Sequence, residues 1–181
     1  MSLLIRFSGG NFMDHTIRWA KKEDCKELGK IHTKSWQMAY KNIIPDEILK
    51  RLNPTKRAEY FQNSLEQGTE KTGVIKVDDK IIGFITIGEC RDDDYKSETG
   101  EIWGMYLLPD YWRQGYGKAL ISWGIEKLKE KGYRKATLWV LEKSKGPRKF
   151  YERMGFIEEG KVNQIEIGKK LNKVRYIKKL I

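Results

Sequence analysis

The chain has few of the residues that build metal centres, disulfide frameworks or membrane spans. Only two of its 181 residues are cysteine and two are histidine, and Cys25 and Cys90 stand alone, without a CxxC pair. Their isolation argues against a zinc site or a disulfide scaffold. No run approaches the roughly 18 apolar residues of a membrane span, and no signal peptide is visible. We expect a cytoplasmic protein with reduced thiols and no metal.

The composition is that of a soluble globular protein with one hydrophobic core. Apolar residues make up 39% and charged residues 34% of the chain, a length that suits one α/β domain. Residues 1–12 show no periodicity, and Ser8-Gly9-Gly10 interrupts any regular element. We therefore treat residues 1–12 as a peripheral arm and 13–181 as the domain.

The net charge of +11 is concentrated in the last third of the chain. Residues 131–181 hold 15 Lys and Arg against 5 Asp and Glu. Such a basic face can attract nucleic acid or an acidic ligand. No nucleic-acid motif and no basic-aromatic array accompanies the charge. A solvated surface that attracts a polyphosphate cofactor is therefore the favoured interpretation, and nucleic-acid binding is the alternative.

Hydrophobic periodicity and breaker residues predict alternating helices and strands. Asp24 is placed to cap the first helix, and Asp78-Asp79 to form a hairpin turn. The predicted elements are a strand at 16–20, helices from 24, at 46–52 and at 54–68, strands at 74–77, 81–87 and 101–108, a helix to 131, a strand at 136–141, a helix at 147–154 and strands at 157–167 and 174–180.

The stretch LLPDYWRQGYGKAL at 107–120 is the clearest functional signal. A strand ends there, a loop with Gly115 and Gly117 follows, and an apolar-periodic helix begins. Glycines let backbone N–H groups approach an anion, and the helix dipole favours negative charge at that end. The pattern predicts a phosphate cradle.

Two common phosphate loops do not fit this stretch. The nucleotide P-loop requires G-x-x-x-x-G-K-[ST], but Trp112 takes the place of its first glycine and Ala119 follows Lys118. The dinucleotide fingerprint requires a third glycine where Leu120 stands, and no acidic residue lies at 135–138. Both nucleotide hydrolysis and hydride transfer are therefore disfavoured.

A second motif, KFYERMGF at 149–156, begins about 35 residues after the glycines. With it the chain resembles the GNAT superfamily of acetyl-CoA-dependent N-acetyltransferases, and its uncharacterised bacterial members in particular. That family has [QR]-x-x-G-x-[GA] and, after a strand, N-x-x-A-x-x-F-Y-E-x-x-G-F. The resemblance covers residues 16–180. Three positions depart from the pattern: Trp112 replaces Gln or Arg, Ser144 replaces Asn, and Pro147 replaces Ala.

The resemblance implies a fold and a reaction. The fold is a single α/β domain with a mixed, mostly antiparallel sheet of about six or seven strands, flanked by four or five helices. The reaction is transfer of an acetyl group from acetyl-CoA to a primary amine of a small molecule or peptide, by direct attack through a tetrahedral intermediate. It further implies that an exposed last hairpin permits a homodimer.

The resemblance also assigns cofactor contacts. The pantetheine arm of coenzyme A would pair with the backbone of Met105, Tyr106 and Leu107, and Ser144 would hydrogen-bond to the same arm. A bulge in that strand would direct an N–H at the acetyl carbonyl. The residues that would surround the pyrophosphate are Arg113, Gln114, Gly115, Tyr116, Gly117 and Lys118, with Ala119 behind them.

Four side chains are candidates for the chemistry and for the acceptor. Tyr151 is the candidate general acid for the departing thiolate, because a free thiol has a pKa of about 8.5. Glu101 is the candidate base, and a carboxylate without a catalytic role is equally consistent with its place at the strand end. Trp36 and Tyr40 share a helix face and are candidates for the acceptor site, with core packing as the alternative.

A different class of function also fits these motifs. A catalytically silent member that binds coenzyme A as a sensor or interaction module would keep the glycine loop. The presence of both Tyr151 and Glu101 favours the enzyme.

Overall fold

The computed structural model describes residues 14–68, 70–95 and 97–180, which contain seven strands and five α-helices. The predicted arm at 1–12 lies outside these residues. The elements are β1 His15–Trp19, α1 Cys25–Ala39, α2 Asp46–Lys50, α3 Pro54–Gln67, β2 Lys71–Val77, β3 Lys80–Glu89, β4 Thr99–Leu107, α4 Tyr116–Glu130, β5 Lys135–Leu141, α5 Lys145–Arg153, β6 Ile157–Glu166 and β7 Lys170–Lys179. This architecture confirms the predicted α/β class.

Local sequence explains most element boundaries. The Asn53 side chain accepts hydrogen bonds from the N–H groups of Thr55 and Lys56 at the start of α3, as expected of an N-cap. Asp24 occupies the N-cap position of α1 without bonding to that helix. Its carboxylate instead accepts hydrogen bonds from the Lys21 N–H and the Arg18 guanidinium, so its capping role was predicted wrongly.

The seven strands form one sheet that opens in the middle. Its order is β1-β2-β3-β4-β5-β7-β6, and only the β4–β5 pair is parallel. These two strands pair only over Thr99–Ile102, whereas β5 stays paired with β7 as far as Leu141. The edge of β4 that faces β5 is therefore unpaired beyond Ile102. This gap is called the β4–β5 opening below.

Helices cover both faces of the sheet and so enclose the opening. On one face α4 packs over the main core, and Phe150 and Tyr151 of α5 pack against the same cluster. On the other face, α1 and α3 cover a smaller cluster that includes Phe61 and Phe84. A third cluster joins the segment after α1 to the β6–β7 hairpin through Ile44, Leu49 and Leu171. The opening thus lies between two helical layers.

A buried arginine fixes the loop between β3 and β4. Arg175 of β7 is only 2% exposed, and its guanidinium donates hydrogen bonds to Asp92, Asp94 and Glu159 at 2.7–3.0 Å. The same group lies 4.5 Å from the ring centroid of Tyr95. The loop that leaves β3 is therefore held against β7 by one cation.

The described residues contain no helix long and apolar enough to cross a membrane. Within the same residues no group of three or more His, Cys, Asp or Glu side chains could hold a metal ion. Both cysteines are free thiols, and burial raises the pKa of each.

Candidate active site

The glycine loop ends in a helix N-terminus with free amides. Gly115 has φ 92° and is the N-cap of α4, and Arg113 has φ 59°. The first helical bond runs from the Ala119 N–H to the Gly115 carbonyl at 3.1 Å, so the N–H groups of residues 115–118 have no helical partner. The amide of Ala119 is used in this helical bond, and its place behind the loop stays a prediction.

Gly117 is closely surrounded without being crowded. The atoms nearest to a Cβ added there would be carbon atoms of Phe150 and Leu107, at 3.5–3.6 Å, which is ordinary contact. The Tyr116 side chain is buried, so only its main chain faces the loop. The exposed side chains of Arg113 and Lys118 form no ion pair within the described chain. These features fit a phosphate group that approaches the backbone closely.

We expect Gly117→Ala to raise stability and to leave acetyl-CoA binding nearly unchanged. Alanine is favoured over glycine in a helix by about 0.5–1 kcal/mol, and the atoms nearest to an added Cβ, in Phe150 and Leu107, lie at ordinary contact distance. The pattern that the glycine loop resembles accepts either glycine or alanine at this position, so the methyl group should not obstruct the phosphates. Thermal unfolding without ligand and calorimetric titration with acetyl-CoA measure the two effects. A loss of about tenfold in affinity would show that the phosphates approach this Cα directly.

The open edge of β4 presents alternate backbone groups. Because the Leu108 N–H donates to the Ile82 carbonyl at 2.8 Å, alternation directs the N–H groups of Met105 and Leu107 toward the β4–β5 opening. The main chain of Tyr106 is directed toward Phe84 of β3 instead. A bulge at Trp103 interrupts the β3–β4 register just before this stretch. Only Met105 and Leu107 can therefore pair with an added strand, and the predicted main-chain role of Tyr106 is wrong.

Trp112, which replaces the Gln or Arg of the family pattern, has a structural role. Its Nε1 donates to the Leu107 carbonyl at 2.8 Å, and the hydroxyl of Ser35 donates to the same oxygen at 2.7 Å. These bonds tie the loop and α1 to the end of β4. The contribution of Ser35 was not predicted, because its partner lies 72 residues away.

Ser144 lies at the N-terminus of α5 with an unused hydroxyl. It is 3% exposed, and its Oγ has no hydrogen-bond partner among the described residues. Buried polar atoms in native structures are nearly always paired. The Ser144 hydroxyl thus fits the predicted contact with a bound cofactor.

Aromatic side chains surround the opening on the side of α1. Trp36 packs edge-to-face on Tyr40, with ring centroids 4.9 Å apart, and stacks on His32 at 5.0 Å. His32 lies 5.2 Å from the ring of Tyr106. Trp36 and Tyr40 also pack against the third cluster. Core packing is therefore compatible with the proposed role of these two residues at the acceptor site.

Tyr151 of α5 packs beside Phe150 and Phe156, with ring centroids 5.3 and 6.0 Å away, and against the main core. Burial, and then Tyr106 and Tyr151, raises the pKa of Tyr40. Burial, and then Tyr106, raises the pKa of Tyr151 well above its usual value of 10.0. The phenol of Tyr151 is therefore protonated at neutral pH and beyond.

Glu101 lies beside the bulge, but its carboxylate is engaged. It is 1% exposed, and it accepts hydrogen bonds from the Arg91 backbone N–H at 3.0 Å and from Arg91 Nε at 3.2 Å. Its second oxygen accepts from the terminal guanidinium nitrogen of Arg91. The guanidinium carbon of Arg91 lies 4.2 Å from the ring centroid of Trp103. Arg91 lies between the predicted strands at 81–87 and 101–108, where no pattern indicated a partner for Glu101.

Comparisons with known proteins agree with this geometry. The model of the Acetyltransferase (GNAT) family matches residues 36–156. An uncharacterized N-acetyltransferase of Bacillus subtilis (strain 168), YuaI, is 34% identical over 131 residues, which cover 71% of this chain and 73% of that protein. Spermidine N(1)-acetyltransferase of Thermoplasma acidophilum is 24% identical over 149 residues, 80% of this chain and 89% of that protein.

The fold has a solved counterpart. The crystal structure of the PaiA N-acetyltransferase from Thermoplasma acidophilum in complex with coenzyme A superposes with a TM-score of 0.72 at 24% identity, covering 92% of this chain and 99% of that one. The predictions of family, fold and enzyme class are thereby confirmed. The chain belongs to the GNAT family of acetyltransferases.

Proposed function

We propose that this protein transfers an acetyl group from acetyl-CoA directly to the primary amine of a small molecule or peptide. The observation that carries the proposal is the β4–β5 opening, toward which the N–H groups of Met105 and Leu107 are directed beyond Ile102. The glycine loop lies at one end of that opening. A donor held by the loop and an acceptor among the aromatic rings would meet at Tyr151.

The residues around the opening suit acetyl-CoA. The free amides of 115–118, with Arg113 and Lys118 nearby, would hold its pyrophosphate. The outward N–H group of Leu107 would pair with its pantetheine arm, and the Ser144 hydroxyl would donate or accept a further bond. Acetyl-CoA supplies the thioester, whose carbonyl carbon the amine attacks.

The protein's part in the reaction is to stabilise charge and move protons. The Met105 N–H faces the opening next to the bulge, and we propose that it bonds to the carbonyl oxygen as negative charge develops on that atom. When the C–S bond breaks, the hydroxyl of Tyr151 donates its proton to the thiolate. Because Arg91 occupies both oxygens of Glu101, we propose that water takes the proton from the amine. Glu101 then acts by positioning the bulge.

A catalytically silent coenzyme A-binding module is the alternative function. It requires only the loop and the open strand edge. It does not require an acid such as the phenol of Tyr151. Turnover with an amine separates the two functions.

We expect coenzyme A to be released only when an amine is present. The rate of release should rise with pH and should show no decline up to about pH 10. The acceptor amine must be neutral to attack, and amines have pKa values of about 8 to 10. The acid form of Tyr151 is present below its pKa and lost above it, and burial has moved that pKa upward. Thiol release measured from pH 6 to 10 across a panel of amines tests this.

Two outcomes would contradict the proposal in different ways. A falling rate between pH 8 and 9 would mean that the essential acid is not this buried phenol. Calorimetric binding of acetyl-CoA without turnover on any amine would favour the silent module.

A further inference from the structure

The carbonyl oxygen of Leu107 accepts hydrogen bonds from two side chains that lie far apart along the chain. Trp112 Nε1 donates to it at 2.8 Å from the glycine loop, and the Ser35 hydroxyl donates to it at 2.7 Å from α1. A carbonyl oxygen has two lone pairs, so both are in use. Of the main-chain groups of Leu107, only the N–H is left for a ligand in the β4–β5 opening.

The loop that follows contains a strained residue between two side-chain hydrogen bonds. Arg113 has φ 59°, a left-handed conformation that is uncommon for a residue with a Cβ. Its neighbour Trp112 donates to the Leu107 carbonyl, and its other neighbour, Gln114, donates from Nε2 to the Asp110 carbonyl at 2.7 Å. Such strain persists where the surrounding structure fixes it. Both bonds belong to the protein itself, so they can fix the bent shape of the loop before a phosphate binds.

The shape of the loop matters because its binding groups are main-chain amides. The N–H groups of residues 115–118 have no helical partner, and the backbone angles of the preceding residues set their directions. A loop that is already ordered loses less entropy when it binds a ligand, and it binds that ligand more tightly for this reason. The hydrogen bond of Trp112 therefore bears on affinity for a pyrophosphate even without contact between the indole and the ligand.

We propose that Trp112 and Ser35 are positioning residues for acetyl-CoA, and that the group required at residue 112 is an N–H donor. By donating to one carbonyl oxygen, the two side chains hold the glycine loop, the end of β4 and α1 in a single arrangement. This deepens the proposed function, on which it rests. Neither side chain needs to touch the reacting atoms.

The residue type at 112 favours a requirement for a donor over a requirement for a ring. The indole nitrogen of Trp112 lies four bonds from its Cα, and so do the side-chain nitrogen of glutamine and the Nε of arginine. Glutamine and arginine are the two residues that the family pattern has at this place. All three can present an N–H at a similar distance from the main chain, where the Leu107 carbonyl lies in this protein. The departure from the pattern at residue 112 therefore preserves one chemical group.

Substitutions at residue 112 separate the donor from the ring. Trp112→Phe keeps an aromatic ring and loses the N–H, whereas Trp112→Gln keeps an N–H and loses the ring. We expect Trp112→Phe to raise the Kd of acetyl-CoA about tenfold, the order of one hydrogen bond, and Trp112→Gln to raise it about threefold or less. A role in packing alone predicts the reverse order, because Trp112→Gln removes more apolar surface. Calorimetric titration with acetyl-CoA measures the Kd values.

Two further variants test the second donor and the specificity of the effect. Ser35→Ala removes the other hydrogen bond with little change in volume, and we expect it to raise the Kd by about threefold to tenfold. Trp19→Phe is the matched control, because Trp19 is 37% exposed against 38% for Trp112 and its indole N–H makes no hydrogen bond within the described residues. Its Kd should stay within about twofold of that of the unmodified protein. Thermal unfolding of each variant checks that the fold is retained.

Turnover gives a readout that a general loss of stability would not give. Across a panel of amines, Trp112→Phe should raise the KM for acetyl-CoA about tenfold and change kcat by about twofold or less, because the lost group acts on binding alone. Equal Kd values for Trp112→Phe and Trp112→Gln, or weaker binding by Trp112→Gln, would overturn the proposal. If no amine releases coenzyme A and the Kd values still follow the presence of the N–H, the catalytic proposal fails and the positioning role stands.

Discussion

Replacement of Tyr151 by Phe is expected to lower kcat by about 10²–10³-fold and to leave acetyl-CoA affinity nearly unchanged. General acid catalysis contributes roughly 10²–10⁴-fold, and the ring that packs against α4 and β4 is retained. Only the proton donor is lost, so the effect should fall on the chemical step. Steady-state rates with a saturating amine, together with calorimetric binding of acetyl-CoA, measure both quantities.

Tyr133→Phe is the matched control for this experiment. Tyr133 is partly buried against the same main core, and it also loses one hydroxyl. Its kcat should stay within about twofold of the unmodified protein. If Tyr151→Phe behaves like this control, the proton reaches the thiolate from another source, such as water.

Arg175→Met is expected to lower the free energy of unfolding by about 3 kcal/mol or more. Removing one partner of a buried ion pair costs roughly 3–5 kcal/mol, because the remaining charge is left without compensation. Here three carboxylates would lose their common partner. Since Asp94 is 44% exposed, water would recover part of its interaction, and the low end of the range applies. Urea denaturation followed by tryptophan fluorescence measures the change.

Lys161→Met tests whether burial is the cause. Lys161 also pairs with Asp94, at 2.7 Å, but both side chains are more than a third exposed. The loss of this surface pair should cost no more than about 1 kcal/mol. Equal effects of the two substitutions would show that the loop between β3 and β4 is held by something other than Arg175.

Local patterns in the sequence were sufficient for most of the fold. The Asp78-Asp79 turn, with φ of 45° and 62°, and the left-handed Gly68 after α3 lie where breaker residues placed them. Helix α5 begins at Lys145, two residues before the predicted start at Pro147. Each of these features depends on neighbours within a few residues, which a linear sequence displays directly.

The site was less accessible from the sequence, because its determinants are far apart along the chain. Ser35 of α1 bonds to the Leu107 carbonyl at the end of β4, 72 residues away along the chain. Arg175 lies in a strand rich in lysine, where it resembles a solvated surface residue, and its partners Asp92 and Asp94 are more than 80 residues away. Their contact depends on sheet order, which periodicity does not disclose.

The early end of β4–β5 pairing, at Ile102, has a consequence for the order in which substrates bind. The glycine loop leads into α4 on one face of the sheet, whereas Trp36 belongs to α1, which packs on the other face. We propose that donor and acceptor enter from these two faces and form a ternary complex, so that the acetyl group passes to the amine without being stored on the enzyme.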